Sequence, residues 1–190
     1  LVNVGLHEHI GMFYAMQGIV SLFMPAVLGI IADRWIPAQK LLSFSHFTAA
    51  LFMAAAGYYG MTKGADVDFG TLFTLYSLSV AFYMPTLALS NSVAYTALDK
   101  AGLDTIRTFP PIRIFGTIGF ICSMWVVDLL GLQNNYGQFF ACAIIGVAYG
   151  VYALTLPECP TSKGDNAKSL VEALGLRAFT LDRKSTRLNS

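Results

Sequence analysis

The feature that most constrains the fold of this chain is the spacing of its charged residues. No Asp, Glu, Lys or Arg occurs within residues 9–32, 41–62, 69–98 and 129–157. Each of these stretches exceeds the roughly 20 residues that an α-helix needs to cross a hydrocarbon core about 30 Å thick. Only 12% of all residues are charged, about half the usual share in soluble proteins. The pattern predicts an all-α membrane protein with several spans and excludes a water-soluble enzyme.

We expect five transmembrane helices. Their approximate ranges are 10–31, 40–61, 70–97, 110–131 and 137–156. The fourth is the least obvious, because the uncharged stretch between Arg113 and Asp128 is too short to cross the core at about 1.5 Å per residue. Its helix must therefore include at least one of these charges. We expect it to begin at Pro110, since proline is tolerated in the first helical turn.

The basic residues of the connections predict the orientation. Lys and Arg occur in the 32–40 and 98–109 loops and after residue 157, whereas the 62–69 and 132–136 connections together contain only Lys63. Basic loops favour the cytoplasmic side, so we expect the first group to be cytoplasmic. Residue 1 would then lie outside. No signal-peptide pattern is visible, and one further helix before residue 1 would complete a six-helix half of a transporter.

The third span has a polar face. Polar side chains recur there at intervals of three and four residues, which places them on one side of a helix; they are Tyr76, Ser79, Tyr83, Thr86 and Ser90. One interpretation is helix packing, with hydroxyls bonded to backbone carbonyls. The other is a face that lines a polar cavity, with Tyr83, Thr86 and Ser90 as the candidate lining residues. In the fifth span, Gly146 and Gly150 have the spacing of a helix-packing motif.

The fourth span offers a candidate binding face. Arg113, Thr117 and Phe120 stand at i, i+4 and i+7, so they share one side of the helix. Arginine donates several hydrogen bonds, threonine donates or accepts, and the aromatic ring offers a stacking surface. Together these groups suit a planar polar heterocycle with a hydroxylated appendage. The alternative is an arginine near a helix start that extends to the membrane interface.

The end of the first span contains a charged motif, Gly29, Asp33 and Arg34. An acid at a helix C-terminus is unfavourable because the helix dipole is negative there. We therefore expect Asp33 to need a partner, either Arg34 or the N-terminus of another helix. The alternative is a solvated loop acid.

Four segments together resemble the nucleoside:proton symporters of the major facilitator superfamily, the bacterial nucleoside permeases. They are residues 23–35 (FMPAVLGIIADRW), 83–87 (YMPTL), 109–120 together with 124–127 (MWVV), and 173–176 (ALGL). The run Phe-Pro-Pro-Ile-Arg-Ile-Phe-Gly-Thr-Ile-Gly-Phe over 109–120 is the most specific. The resemblance covers about residues 10–181. The Gly-x-x-x-Asp-Arg spacing of Gly29, Asp33 and Arg34 also matches the superfamily, although its usual downstream glycine and basic pair are missing.

The resemblance implies a twelve-helix fold of which this chain contains helices two to six. Residues 1–156 would be an incomplete N-terminal half, and 157–181 the start of the cytoplasmic loop between halves. It implies proton-coupled uptake of purine and pyrimidine nucleosides by alternating access in the bacterial inner membrane. Arg113, Thr117 and Phe120 would contribute to the nucleoside site. The 29–34 motif would contact helix ends of the other half. The expected partners are nucleoside, protons, the lipid bilayer and the missing C-terminal half, with no cofactor.

Two other interpretations of the chain are alternatives to a nucleoside permease. It could belong to a carrier for another small polar solute such as a sugar, or be an inactive fragment. We do not expect an enzyme, because His46 is the only histidine within a span and no acid stands at helical spacing from it. We do not expect a metal site, because the three cysteines lack metal-ligand spacing and the histidines do not cluster with acids or cysteines. A net charge of +1 gives no attraction to nucleic acid. Residues 182–190 have no hydrophobic period, and we expect a non-native tail there; the alternative is an ordinary basic cytoplasmic loop.

Overall fold

A computed structural model describes residues 7–64 and 66–161, and all regular structure in these ranges is helical. The five helices are α1 (Ile10–Arg34), α2 (Ala38–Lys63), α3 (Phe69–Lys100), α4 (Thr105–Leu129) and α5 (Gly137–Leu154), with short 3-10 turns at His7–His9 and Leu132–Asn134. Each of the five is long and apolar enough to cross a membrane. The chain is therefore an all-α membrane protein with about five spans, as the charge spacing predicts.

The start of α4 differs from the expectation. The helix begins at Thr105 rather than at Pro110, because the Asp104 carboxylate accepts a hydrogen bond from the backbone N–H of Ile106 (3.0 Å) and caps the helix earlier. Pro110 and Pro111 lie inside the helix. Proline lacks an N–H, so each removes one backbone hydrogen bond from a turn near the helix start.

Helix α2 is the centre of the packing. It lies against both α3 and α5, and α3 also packs against α1. Glycines allow the close approach of α5 to α2: a Cβ atom at Gly146 would lie 3.3 Å from the Cβ of Ala50, and one at Gly57 only 2.9 Å from the Cβ of Phe139. By contrast, α4 makes only a few contacts with α3, and none of its residues is buried.

The segment after α5 folds back onto the ends of α2 and α3. The buried side chain of Gln39 accepts a hydrogen bond from the backbone N–H of Cys159 (2.9 Å). Lys100 donates to the backbone carbonyl of Glu158, and Lys40 forms an ion pair with the Glu158 carboxylate (3.4 Å). The first residues of the expected 157–181 loop are thus part of the folded half. The remainder of that loop and the expected tail over 182–190 lie outside the described residues.

These contacts also bring the connections together as the orientation rule predicts. The α1–α2 and α3–α4 connections and the segment after α5 share one end of the bundle. At the other end, the His9 ring stacks on Phe69 with centroids 4.2 Å apart, so the start of α1 meets the start of α3. Which end faces the cytoplasm stays a prediction from the basic residues.

Candidate functional site

A cleft of about 810 Å³ lies between α2, α3, α4 and α5. This volume is in the range of pockets that bind small organic ligands. Several groups on its wall are polar or aromatic, among them His46 of α2, Tyr83 and Ser90 of α3, and Tyr149 of α5. No Asp, Glu, Lys or Arg within the described part of the chain lines it. The cleft therefore suits an uncharged ligand with hydrogen-bonding groups.

The polar face of α3 both bonds to backbone carbonyls and lines the cleft. Thr86, Tyr83 and Ser90 all line the cleft. The Thr86 hydroxyl, however, donates to the backbone carbonyl of Tyr83 in its own helix (2.6 Å), and that of Ser79 donates to the carbonyl of Ala49 on α2 (2.8 Å). Ser90 and Tyr149 place their hydroxyl oxygens 3.4 Å apart across two helices. The Ser79 hydroxyl thus joins α3 to α2 and that of Thr86 bonds within α3, whereas Tyr83 and Ser90 present polar groups to the cleft.

The predicted binding face of α4 reaches the cleft only in part. Phe120 lines it, and Arg113 and Thr117 do not. All three side chains are exposed. Arg113 lies seven positions before Phe120, which at about 1.5 Å per residue is roughly 10 Å along the helix axis toward its start. No other described element covers this face, and its role in binding remains a prediction.

The motif at the end of α1 lies apart from the cleft. Asp33 is exposed and makes no ion pair within residues 7–64 and 66–161, whereas Arg34 is half-buried. Arg34 belongs to the last turn of α1, where a cation is favourable because the helix dipole is negative at its C-terminus. A Cβ atom at Gly29 would have no neighbour within 4 Å. The described residues thus leave Gly29 and Asp33 accessible to another part of the protein.

Two residues of the cleft wall, His46 and Tyr149, have no binding role predicted from the sequence. His46 is only 8% exposed, and its ring centroid lies 4.6 Å from that of Tyr149 and 6.2 Å from that of Tyr83. The sequence signal that could have indicated a role for His46 was a single histidine within an uncharged stretch. The signal for Tyr149 was weaker, since a tyrosine beside the Gly146 and Gly150 motif is equally typical of helix packing.

Two titratable groups that lie at helix starts outside the spans have shifted pKa values. At the start of α3, the backbone N–H of Thr71 and then its hydroxyl donate to the Asp68 carboxylate and hold the pKa of Asp68 below its ordinary value. At the start of α5, burial raises the pKa of Tyr136. In the part of the chain that the structure describes, no three His, Cys, Asp or Glu side chains come together as metal ligands.

Comparison with known proteins gives consistent matches over most of the chain. The family model described as "Nucleoside H+ symporter" matches residues 3–188. The xanthosine permease of Escherichia coli (strain K12) is 40% identical over 175 residues, and the nucleoside permease NupG of the same organism is 41% identical over 174. These alignments cover 91% and 90% of the chain and 40% of each relative. The chain thus spans well under half the length of the curated relatives that it matches.

Solved structures agree with the sequence matches. Two crystal structures of the nucleoside transporter NupG superpose on the chain with TM-scores of 0.80 and 0.77 at 37% identity. Each alignment covers 93% of this chain and 42% of the solved chain. The arrangement of α1 to α5 is therefore that of part of a major facilitator superfamily transporter.

Proposed function

The chain belongs to the nucleoside H+ symporter family, and from that premise we propose that it forms the incomplete N-terminal half of a proton-coupled nucleoside transporter. The family match over residues 3–188 is the observation that carries this proposal. The relatives named as permeases and the five apolar helices support a membrane transport protein rather than an enzyme. We place it in the inner membrane of a bacterium, with loops 32–40 and 98–109 in the cytoplasm.

The proposed substrates are purine and pyrimidine nucleosides. One relative is named for xanthosine and another for nucleosides in general. The uncharged cleft supports the same class, because hydroxyls, an imidazole and aromatic rings suit a neutral heterocycle that carries a sugar. Transport would proceed by alternating access between this half and the C-terminal half, with nucleoside bound between them and proton entry driving uptake.

The proposed nucleoside contacts on α4 are Arg113, Thr117 and Phe120. Phe120 already lines the cleft, and the other two extend the same helical face toward the α3–α4 connection. Because no described element covers this face, it is free to meet substrate and the second half. Gly29, Asp33 and Arg34 would contact helix ends of that half and bias the cycle between its two conformations.

The test of the transport function uses the complete protein, expressed in cells that lack their own nucleoside uptake. We expect uptake of radiolabelled uridine that collapses when a protonophore removes the gradient. Uptake that persists with the protonophore would contradict proton coupling. Absence of uridine uptake by protein shown to reach the membrane would contradict the nucleoside assignment. Competition by hexoses but not by nucleosides would instead indicate a sugar carrier.

The test of the α4 site is a matched pair of arginine substitutions. We expect Arg113→Ala to abolish uridine uptake with unchanged amounts of protein in the membrane. Arg107→Ala is the control, since it removes the same charge from the first turn of α4, where Arg107 pairs with Asp104 at 3.6 Å. Normal uptake by the Arg113→Ala variant, or equal loss in both, would contradict the site assignment.

A further inference from the structure

We infer that His46 is a direct hydrogen-bonding contact for the transported nucleoside, on the α2 wall of the cleft. The inference rests on the proposed function and adds a specificity-determining residue outside the α4 face. It is carried by two independent observations, the chemistry of the cleft and the state of the His46 side chain.

His46 is a buried polar side chain without a partner. It is 8% exposed, it lines the cleft, and it forms no hydrogen bond or ion pair with any residue in 7–64 or 66–161. Neither ring nitrogen is among the fully enclosed side-chain atoms that lack a hydrogen bond, so both have surface open to a ligand. Open imidazole nitrogens on the wall of a ligand-sized cleft are available to hydrogen-bond a molecule that enters the cleft.

The surroundings of His46 indicate which kind of ligand fits. The imidazole offers two ring nitrogens as hydrogen-bonding groups, while the rings of Tyr149 and Tyr83 meet it edge to face at 66° and 80°. The Tyr149 and Ser90 hydroxyls lie beside each other in the same wall. This combination matches a nucleoside, whose heterocycle has donors and acceptors on its edge and whose sugar carries hydroxyls.

The same wall argues against a phosphorylated ligand. A phosphate group requires cations or clustered backbone N–H groups. None of the described residues that line the cleft is Lys or Arg. The wall around His46 therefore suits an uncharged part of the ligand, and the arginine of the proposed α4 face, Arg113, lies outside this wall.

The first experiment is a kinetic comparison in the full-length protein. His46→Phe keeps a planar ring and removes both nitrogens, so we expect the KM for uridine to rise roughly twofold to tenfold, the range for one lost hydrogen bond. The maximal rate should change little, because the contact forms with bound substrate. Ser45→Ala is the control: Ser45 is a fully buried neighbour on α2 that does not line the cleft, and its variant should keep the wild-type KM.

The second experiment decides the case in which His46→Phe fails to reach the membrane. In full-length protein with its native cysteines replaced, we expect His46→Cys to react with a water-soluble methanethiosulfonate and uridine to slow that reaction. Ser45→Cys should stay unreactive. A cysteine at position 46 that never reacts would show that another part of the complete protein fills the cleft, and would overturn the inference. Reaction that uridine does not slow would also overturn it.

The outcomes separate this inference from the proposed function. Uridine uptake by the wild type together with an unchanged KM in His46→Phe overturns the role of His46 alone. Absence of uridine uptake by the wild type overturns the proposed function and this inference with it.

Discussion

Replacement of Gly57 by alanine should weaken the contact between α2 and α5. Gly57 is a buried residue of α2 that faces the start of α5. A Cβ atom there would lie 2.9 Å from the Cβ of Phe139 and 3.1 Å from the ring of Phe140, whereas ordinary contact begins at 3.4 Å. The Cβ of Phe139 is fixed to its backbone, so a rotamer change cannot relieve the clash. The two helices must separate locally by about 0.5 Å.

The expected loss follows from two opposing terms. Over-packing of a close interface costs about 1–3 kcal/mol. Alanine in place of glycine within a helix returns about 1 kcal/mol through its higher helix propensity. The net expectation for Gly57→Ala is a decrease of up to about 2 kcal/mol in the free energy of unfolding. The control is Gly18→Ala on α1, where a Cβ atom would have no neighbour within 4 Å, so only the favourable term applies.

The assay is the thermal unfolding midpoint of the full-length protein in detergent, measured for the two variants side by side. We expect the midpoint of Gly57→Ala to fall below that of the wild type and the midpoint of Gly18→Ala to stay level or rise. If the midpoint falls for Gly57→Ala but not for Gly18→Ala, the loss of stability arises from the contact between α2 and α5. A Gly57→Ala variant as stable as the Gly18→Ala variant would refute the close approach of α2 and α5.

Three further predictions concern the helix ends. Gln39→Ala removes the acceptor for the buried N–H of Cys159 and should lower the unfolding free energy by about 1–3 kcal/mol, measured by thermal unfolding. Asp104→Ala removes the cap of α4 and should cost about 0.5–2 kcal/mol in the same assay, while Asp104→Asn should retain most of the stability. Because hydrogen bonds from Thr71 lower the pKa of Asp68, its carboxylate stabilises the fold above the unfolded-state pKa, and this contribution is lost as the pH falls through the lower folded-state pKa. A titration of the unfolding midpoint below pH 5 should therefore show a smaller decrease for Asp68→Asn than for the wild type, and identical titrations would contradict the role of the cap.

The helices themselves could be found from the sequence because crossing a membrane is a property of each segment. The four long uncharged stretches located α1, α2, α3 and α5, and the shorter uncharged interval between Arg113 and Asp128 located α4. The family resemblance likewise rests on local runs of residues, the longest being 109–120, and the family match over 3–188 confirms it. The exception was the start of α4, where two local signals compete. The Asp104 cap begins the helix before the prolines that were expected to open it.

The site depended on tertiary structure, because no helical period reveals which neighbour a face meets. The even polar spacing on α3 could not separate Ser79, which bonds to α2, from Ser90, which lies beside Tyr149. The contact of Gln39 with Cys159 joins residues 120 positions apart, a distance at which the sequence has no local signal. The burial of His46 likewise depends on residues distant in sequence, since its ring meets Tyr83 of α3 and Tyr149 of α5. The sequence alone thus determined the membrane class, the number of helices and the family, since each depends on local composition or motif. Only the packing of α2 against α3 and α5 decided which polar side chains share a wall, because that depends on contacts between distant segments.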